Sequence, residues 1–323
     1  MAAKPLILII DRVHPLLEES LRKRGFQVET DLSSPAIELS LRYPETRCLV
    51  LRSRLPVDRD FLMRFPHLGC VVRVGSGLEG IDTDFAASRG IRVMNTPEGN
   101  RNAVGEHALG LLLNLMRHTC RANLEIRRDS WNRKANTGYE LDGRTVGIIG
   151  YGNTGKAFAR KLAGFDTEVL AYDIRDGVGD SYARQTGMDE IFERATVVSL
   201  HVPLTSLTHH LVNDDWIAAF RHPFWLINTS RGEVTDTAAL ERALREGKIR
   251  GAGLDVLEFE QKRFGNQNDL KDWPPVFHEL KSMPNVLLTP HIAGLTRESY
   301  EKLALAAVDK ISRYFNMNNE NIK

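Results

Sequence analysis

Cysteine is scarce: Cys48, Cys70 and Cys120 are widely spaced, odd in number and without a CxxC pattern. A disulfide framework or a zinc site is therefore excluded, no metal is expected, and the three read as ordinary buried thiols. Long apolar runs are also missing. Leu6–Ile10 is too short for a signal-peptide core, and nothing approaches transmembrane length, so no membrane contact is expected and the cytoplasm is the default. Charge of one sign is not in excess either. Lys plus Arg number 43 against 42 for Asp plus Glu, which gives no footprint for nucleic acid or an anionic surface. Internal repeats and low-complexity tracts are absent. What remains is a chain of 323 residues, long enough for two ordinary domains.

The most informative segment present is Val146-Gly-Ile-Ile-Gly150-Tyr-Gly152-Asn-Thr-Gly155-Lys-Ala-Phe-Ala, a glycine-rich turn between a β-branched run and a helical segment. Gly150 suits the tight turn that ends a strand. Gly152 lets backbone approach a pyrophosphate, and Gly155 lets helix and strand pack closely. The helix opening there points unpaired N–H groups at phosphates. Glu168-Val-Leu-Ala-Tyr-Asp173 reads as the next strand, ending in a carboxylate 21 residues past Gly152, where a ribose 2′-hydroxyl would be met. The expected cofactor is NAD rather than NADP, with Arg175 weakening that preference slightly.

The turn comes late in the chain, and what precedes it is also α/β. Strands are expected at Pro5–Ile10, Cys48–Leu51, Cys70–Val74 and Ile91–Met94, with a helix over Pro15–Arg24 stopped by Gly25. Asn100–His118 carries leucines on most faces and predicts a helix buried all round, between domains or against another subunit. After Asp173, helices at Met188–Arg194, Asp214–Phe220 and Thr237–Glu246 alternate with strands at Thr196–His201, Phe224–Asn228, Gly251–Val256 and Asn285–Thr289. The fold class is α/β, two Rossmann-like domains with doubly wound parallel sheets. A last helix, Glu298–Phe315, is expected to return to the first domain and make it discontinuous: residues 1–99 with 292–323 for substrate, 100–291 for NAD.

Ligand loops of such sheets lie at strand C-termini, and three polar residues stand out there: Arg231 in Asn228-Thr-Ser-Arg-Gly232, Glu260 after Leu254-Asp-Val-Leu-Glu-Phe, and His291 in Thr289-Pro-His-Ile-Ala-Gly294. With Val74-Gly-Ser-Gly77, Gly80-Ile-Asp82, Asn95-Thr-Pro-Glu-Gly-Asn100, Val104-Gly-Glu-His107 and His201-Val-Pro-Leu-Thr205, their order and setting resemble the D-isomer-specific 2-hydroxyacid dehydrogenase family over essentially the whole chain. The resemblance implies that Arg231 grips the carboxylate and carbonyl of a 2-oxo acid, His291 is the acid/base and Glu260 is its partner. The chemistry is consistent: hydride loss from a secondary alcohol requires removal of the hydroxyl proton, which a neutral His can take near pH 7. A carboxylate beside the ring favours imidazolium. A guanidinium holds a carboxylate as a planar fork. The family commonly has proline after this glutamate where this chain has Gln261, and Glu258 is a nearby competitor. The longer stretch Lys262–Ser282, with Trp273-Pro-Pro and Phe277, reads as surface decoration, a lid or a subunit contact.

By the same resemblance, Asn153 and Thr154 sit on the pyrophosphate, Asp173 on the ribose, and His201, Pro203 and Thr208 on the adenine side. Thr229, Asp255 and Gly294 belong to the cofactor set, with Asp255 accepting from the nicotinamide carboxamide or its neighbours. The partner is a small anionic substrate. Gly75, Ser76 and Gly77 offer amides to its carboxylate, and Asn100 belongs to the same substrate set. Arg52 and Arg73, at two strand ends, resemble a pattern in the 3-phosphoglycerate dehydrogenases and match a phosphate, although both also read as solvent-facing ends. D-3-phosphoglycerate is the first expectation, with glyoxylate, hydroxypyruvate or another small 2-oxo acid as the alternative. Feedback through a C-terminal regulatory module is not expected, and a homodimer is. A reading from another class is a binding protein similar to the C-terminal-binding-protein corepressors, which share the fold. Formate dehydrogenases resemble the chain less, having glutamine where Glu260 stands.

Overall fold

Strands that are buried on both faces read as short continuous apolar runs, and Leu-Ile-Leu-Ile, Cys-Val-Val-Arg, Val-Val-Ser-Leu and Phe-Trp-Leu-Ile-Asn are buried at every position. A computed structural model describes residues 4–260 and 270–320, the last four by backbone only. It divides the chain into two units: the described residues up to Asn100 and from Leu295 onward form one, and Arg101–Glu260 with those from 270 to Gly294 form the other.

In the first unit the elements are β1 (Leu6–Ile9), α1 (Leu16–Lys23), β2 (Gln27–Thr30), α2 (Ala36–Arg42), β3 (Thr46–Leu51), α3 (Arg59–Met63), β4 (Cys70–Arg73), α4 (Thr83–Ser88) and β5 (Arg92–Asn95); α5 (Pro97–Arg117) begins here. The five strands are parallel in the order β2-β1-β3-β4-β5, the order of flavodoxin-like sheets. Successive residues of β1 serve opposite faces. Ile7 and Ile9 pack with Leu17, Val308 and Ile311, whereas Leu8 and Ile10 pack with Phe61 and Phe65. The second of those faces is covered by α3 and its neighbours, the first by α1 and the long C-terminal helix α12 (Arg297–Glu320), so the unit is discontinuous in sequence.

The second unit contains the rest of α5, then α6 (Thr119–Arg127), β6 (Thr145–Ile149), α7 (Asn153–Leu162), β7 (Glu168–Tyr172), β8 (Arg184–Gln185), α8 (Met188–Arg194), β9 (Val197–Leu200), α9 (Asp214–Ala219), β10 (Phe224–Asn228), α10 (Thr237–Glu246), β11 (Ile249–Leu254), α11 (Pro275–Ser282) and β12 (Val286–Leu288). Its parallel sheet runs β12-β11-β10-β9-β6-β7-β8. Counted from β6, the reversal between β6 and β9 is that of a dinucleotide-binding sheet, which takes its ligand where the strand order reverses. Asp236 caps α10 by accepting from the amides of Ala238 and Ala239, and Gly247 ends it at φ 78°.

Three expectations are corrected. Cys120 is exposed, because it lies on α6, none of whose residues is buried; Cys48 and Cys70 are buried on neighbouring strands. Within this chain, helix α5 is not buried all round. It buries Val104, Ala108, Leu111, Leu112 and Leu115 on one stripe and exposes Arg101, Glu106 and Arg117. The end of the Lys262–Ser282 stretch is core rather than decoration: α11 inserts Phe277 and Leu280 among residues of α10 and β11. The beginning of that stretch, residues 262–269, lies outside the described residues.

Candidate active site

The glycine turn closes β6 as its spacing requires. Gly150 has φ 91°, and a Cβ there would lie 2.7 Å from the His201 carbonyl oxygen. A Cβ on Gly155 would collide with the Gly150 carbonyl, so only glycine lets α7 start so close to the strand. Around Gly152 the space is open, with only the Arg175 guanidinium at 3.8 Å from a Cβ. Such a cradle fits a pyrophosphate at the first turn of α7, where Asn153 is exposed and Thr154 half-buried. At the end of β7, Asp173 accepts from the Tyr151 amide (2.8 Å), the Arg175 amide (3.0 Å) and the Arg175 guanidinium (3.0 and 3.2 Å). The Arg175 hydrogen bond, reinforced by those amides against the opposing effect of burial, holds its carboxyl at about 2.

His201, expected on the adenine side, is buried. Its Nδ1 meets Thr154 Oγ1 at 3.2 Å and its Nε2 meets Ser199 Oγ at 2.9 Å. Burial pushes its pKa down to about 3, so the ring is a neutral brace between β9 and α7 rather than an open wall. Thr208 Oγ1 bonds the Pro203 carbonyl (2.6 Å) and accepts from the Thr205 amide (2.8 Å), tying the exposed Pro203 loop to itself. Thr229 Oγ1 is buried and has no hydrogen-bond partner among the described residues. A buried hydroxyl without a partner is costly, and a ligand amide at the end of β10 would satisfy it.

The three strand-end residues follow β10, β11 and β12, adjacent parallel strands whose loops therefore leave the same sheet edge. His291 Nδ1 lies 2.7 Å from Glu260 Oε2, and Glu260 Oε1 accepts from the Leu257 amide at 2.7 Å. The geometry thus pairs His291 with Glu260. Glu258 is engaged elsewhere, on His210 and the start of α10. Arg231 follows β10 in a loop braced by buried Asn228, whose side chain donates to the Arg231 carbonyl (3.0 Å) and Thr235 Oγ1 (3.2 Å) and accepts from Ser230. The Arg231 guanidinium reaches the Ser230 carbonyl at 2.6 Å. A Cβ on Gly232 would run into the Leu257 peptide, so the Arg231 loop and the Glu260 loop are in atomic contact.

Asp255 has a structural role beside its expected one. It is 1% exposed and receives Thr289 Oγ1 (2.6 Å), the amides of Ile292 (2.9 Å) and Ala293 (2.7 Å), and His107 Nε2 (3.3 Å). Burial pushes its carboxyl up, but those hydrogen bonds outweigh it and leave the pKa below the ordinary value. Three of these contacts fall on Oδ1 and one, from Ala293, on Oδ2, so Asp255 anchors the His291 loop. His291 itself sits at φ 54°, its amide bonded to the Asp255 carbonyl at 2.8 Å, and half-buried Gly294 closes the segment. Sequence reasoning missed Asn228, Gly232, Thr289 and the His210–Glu258 pair. His107 it quoted without a role. An asparagine at a strand end and a glycine directly after Arg231 were the available signals.

In the first unit, the Val74–Gly77 loop is built from within. Arg73 is buried and donates to the carbonyls of Arg52 (2.8 Å) and Gly77 (2.6 Å), so it braces the loop where a phosphate ligand was expected. The Arg52 guanidinium lies 5.1 Å from the Tyr300 ring centre. Gly75 N–H is taken by Thr96 Oγ1 (3.0 Å), which removes it from the amides open to an anion. Ser76 Oγ donates to Asn100 Oδ1 at 2.8 Å.

Residues 109–293 match the model of the D-isomer specific 2-hydroxyacid dehydrogenase, NAD binding domain. The chain is 35% identical over 309 residues to the hydroxypyruvate reductase of Thermotoga maritima, covering 93% of this chain and 97% of that one. It belongs to the D-isomer-specific 2-hydroxyacid dehydrogenase family. This dehydrogenase is also similar to D-3-phosphoglycerate dehydrogenase 2 of Saccharomyces cerevisiae, 32% identical over 97% of this chain and 67% of the yeast protein. Among solved structures, the NADPH-dependent glyoxylate/hydroxypyruvate reductase of Sinorhizobium meliloti superimposes with a TM-score of 0.77 at 31% identity, covering 97% of this chain and 94% of that one. The dehydrogenase is thus an oxidoreductase with a dinucleotide-binding domain. No helix among its described residues is long and apolar enough to cross a membrane.

Proposed function

We propose that the enzyme reduces a small, unphosphorylated 2-oxo acid of the hydroxypyruvate or glyoxylate kind with NADH, and oxidises the matching D-2-hydroxy acid in reverse. The observation that carries this reading is the His291–Glu260 contact on the same strand-end edge as Arg231. Bound dinucleotide supplies or accepts the hydride. Nδ1–H of His291 donates to Glu260, which fixes the tautomer and leaves Nε2 to exchange a proton with the substrate oxygen. Glu260 stabilises the imidazolium, and Arg231 holds the substrate carboxylate as a fork. Gly150, Gly152, Asn153, Thr154, Gly155, Asp173 and Thr229 hold the cofactor, and Asp173 favours NAD.

The unphosphorylated substrate is preferred over D-3-phosphoglycerate because Arg73 spends donors on two loop carbonyls. The test compares kcat/KM for hydroxypyruvate, glyoxylate and 3-phosphohydroxypyruvate in wild type and Arg73→Ala. Equal losses across the acids are expected of a loop brace; a loss concentrated on the phosphorylated acid restores the phosphoglycerate reading. A cytoplasmic homodimer completes the proposal. It is supported by exposed Leu124 and Ile126 on α6 and by Trp131, 79% exposed, and light scattering that returns a monomer contradicts it.

A further inference from the structure

We infer that Glu258 and His210 are positioning residues for the reaction: they clamp the loop that aims Glu260 at His291. The inference rests on the acid/base reading of His291 proposed above. Glu258 Oε1 meets His210 Nε2 at 2.7 Å, and Oε2 accepts from the Thr237 amide at 2.9 Å, at the positive end of α10. His210 is itself pinned. It adopts φ 49°, its amide donates to the Glu233 carbonyl (2.8 Å), its carbonyl accepts from Asn213 (3.1 Å), and its ring stacks on His209 with centres 4.1 Å apart. One carboxylate therefore ties the Arg231–Asp236 connection, the His209–Asn213 turn and the first turn of α10 to the segment Leu257–Glu260.

The neighbouring peptide transmits that anchorage. Leu257 N–H donates to Glu260 Oε1 at 2.7 Å, and the Leu257 carbonyl accepts from the Glu260 amide at 3.1 Å. The same peptide rests on Gly232. Release of Glu258 lets Leu257 drift off Gly232, and the bond from Glu260 Oε2 to His291 Nδ1 drifts with it. Glu258 does not itself touch His291, so it is not the acid/base partner. A residue of merely structural value here would affect stability and leave proton transfer alone; a positioning residue lowers kcat through the Glu260–His291 contact while KM and NADH affinity hold.

The experiment uses Glu258→Ala, Glu258→Gln and His210→Gln in the full chain, with His291→Ala as control. It measures kcat and KM for hydroxypyruvate across pH, NADH affinity by fluorescence and the melting temperature. Because misplacement near a reacting centre costs up to about a hundred-fold, Glu258→Ala is expected to lower kcat between roughly ten- and a hundred-fold with NADH affinity unchanged. Glu258→Gln, which keeps the Thr237 bond, falls between. KM for hydroxypyruvate is unchanged in each, because Arg231 and not Glu260 holds the substrate carboxylate. Wild-type kcat, or a loss that falls on KM or NADH affinity instead, overturns the inference. Should Glu258→Ala not fold, His210→Gln and Glu258→Gln give the same decision. A His291→Ala protein with wild-type turnover sinks the acid/base reading instead, whereas a dead His291→Ala beside silent Glu258 and His210 variants sinks this inference alone.

Discussion

Exchanging Asp173 for serine tests the cofactor reading most directly. In the structure the Asp173 carboxylate is covered by the Arg175 guanidinium and held at about 2, so it is ionised at any working pH. Serine removes a charged acceptor for the ribose hydroxyls, a hydrogen bond to a charged group worth about 1.5–3 kcal/mol. It also frees Arg175, which is mostly exposed beside Gly152, to meet a 2′-phosphate, a charge-assisted contact of similar size. Together the two effects favour NADPH over NADH by about 3 kcal/mol or more, roughly a hundred-fold or more in relative kcat/KM. The assay is initial rates with NADH and NADPH at one ionic strength and saturating 2-oxo acid. Asp173→Ser with Arg175→Ala is expected to lose the NADPH gain while keeping the NADH loss. A change in the coenzyme ratio below about three-fold in the single variant, small against either hydrogen bond, refutes the assignment.

His291→Ala is expected to lower turnover about a hundred-fold or more, with NADH affinity retained; loss of NADH binding in step with turnover shows the residue belongs to the cofactor site. Gly232→Ala places a methyl group in the Leu257 peptide, so activity should collapse in a protein that still binds NADH, and an active variant shows that the two loops move independently. His201 has a folded pKa of about 3 against an ordinary 6.5, so the folded state binds fewer protons. Its stabilising contribution is whole above 6.5 and is lost as pH falls toward 3, by at most about 1.4 kcal/mol per pH unit. Urea midpoints that fall no faster in wild type than in His201→Asn between pH 6 and 4 contradict the buried neutral ring. Asp255→Asn turns one of two accepting oxygens into an NH2 that faces a backbone N–H, of Ile292 or of Ala293, so turnover should fall through misplacement of His291, with a lowered melting temperature; an unchanged melting temperature shows that the anchor is dispensable.

Sequence carried the fold where a single physical rule dominates. Mostly apolar runs announced β1, β4, β9 and β10, and the glycine spacing placed the β6–α7 turn. Its silence fell where tertiary context decides. β2 is an edge strand, Gln-Val-Glu-Thr, with Val28 its one apolar residue and one side without a neighbour, and α6 is a helix with no buried face to leave a period. In the site, residue types were legible but their employment was not. Arginine, aspartate and histidine satisfy backbone as readily as ligands, and only coordinates show that Arg73 serves carbonyls, Asp255 a loop and His201 a helix start. Glu260 and Glu258 are equivalent on paper, two residues apart in one loop; the turn at Leu257 faces them in different directions.

The seam between Gly232 and Leu257 has a practical meaning for anyone redesigning the enzyme. Two connections that abut without an intervening side chain share their errors, so an insertion made in either one to admit a bulkier acid will misregister the other. Substitutions that leave the length of both connections unchanged keep that seam in register, and with it the contact between Glu260 and His291.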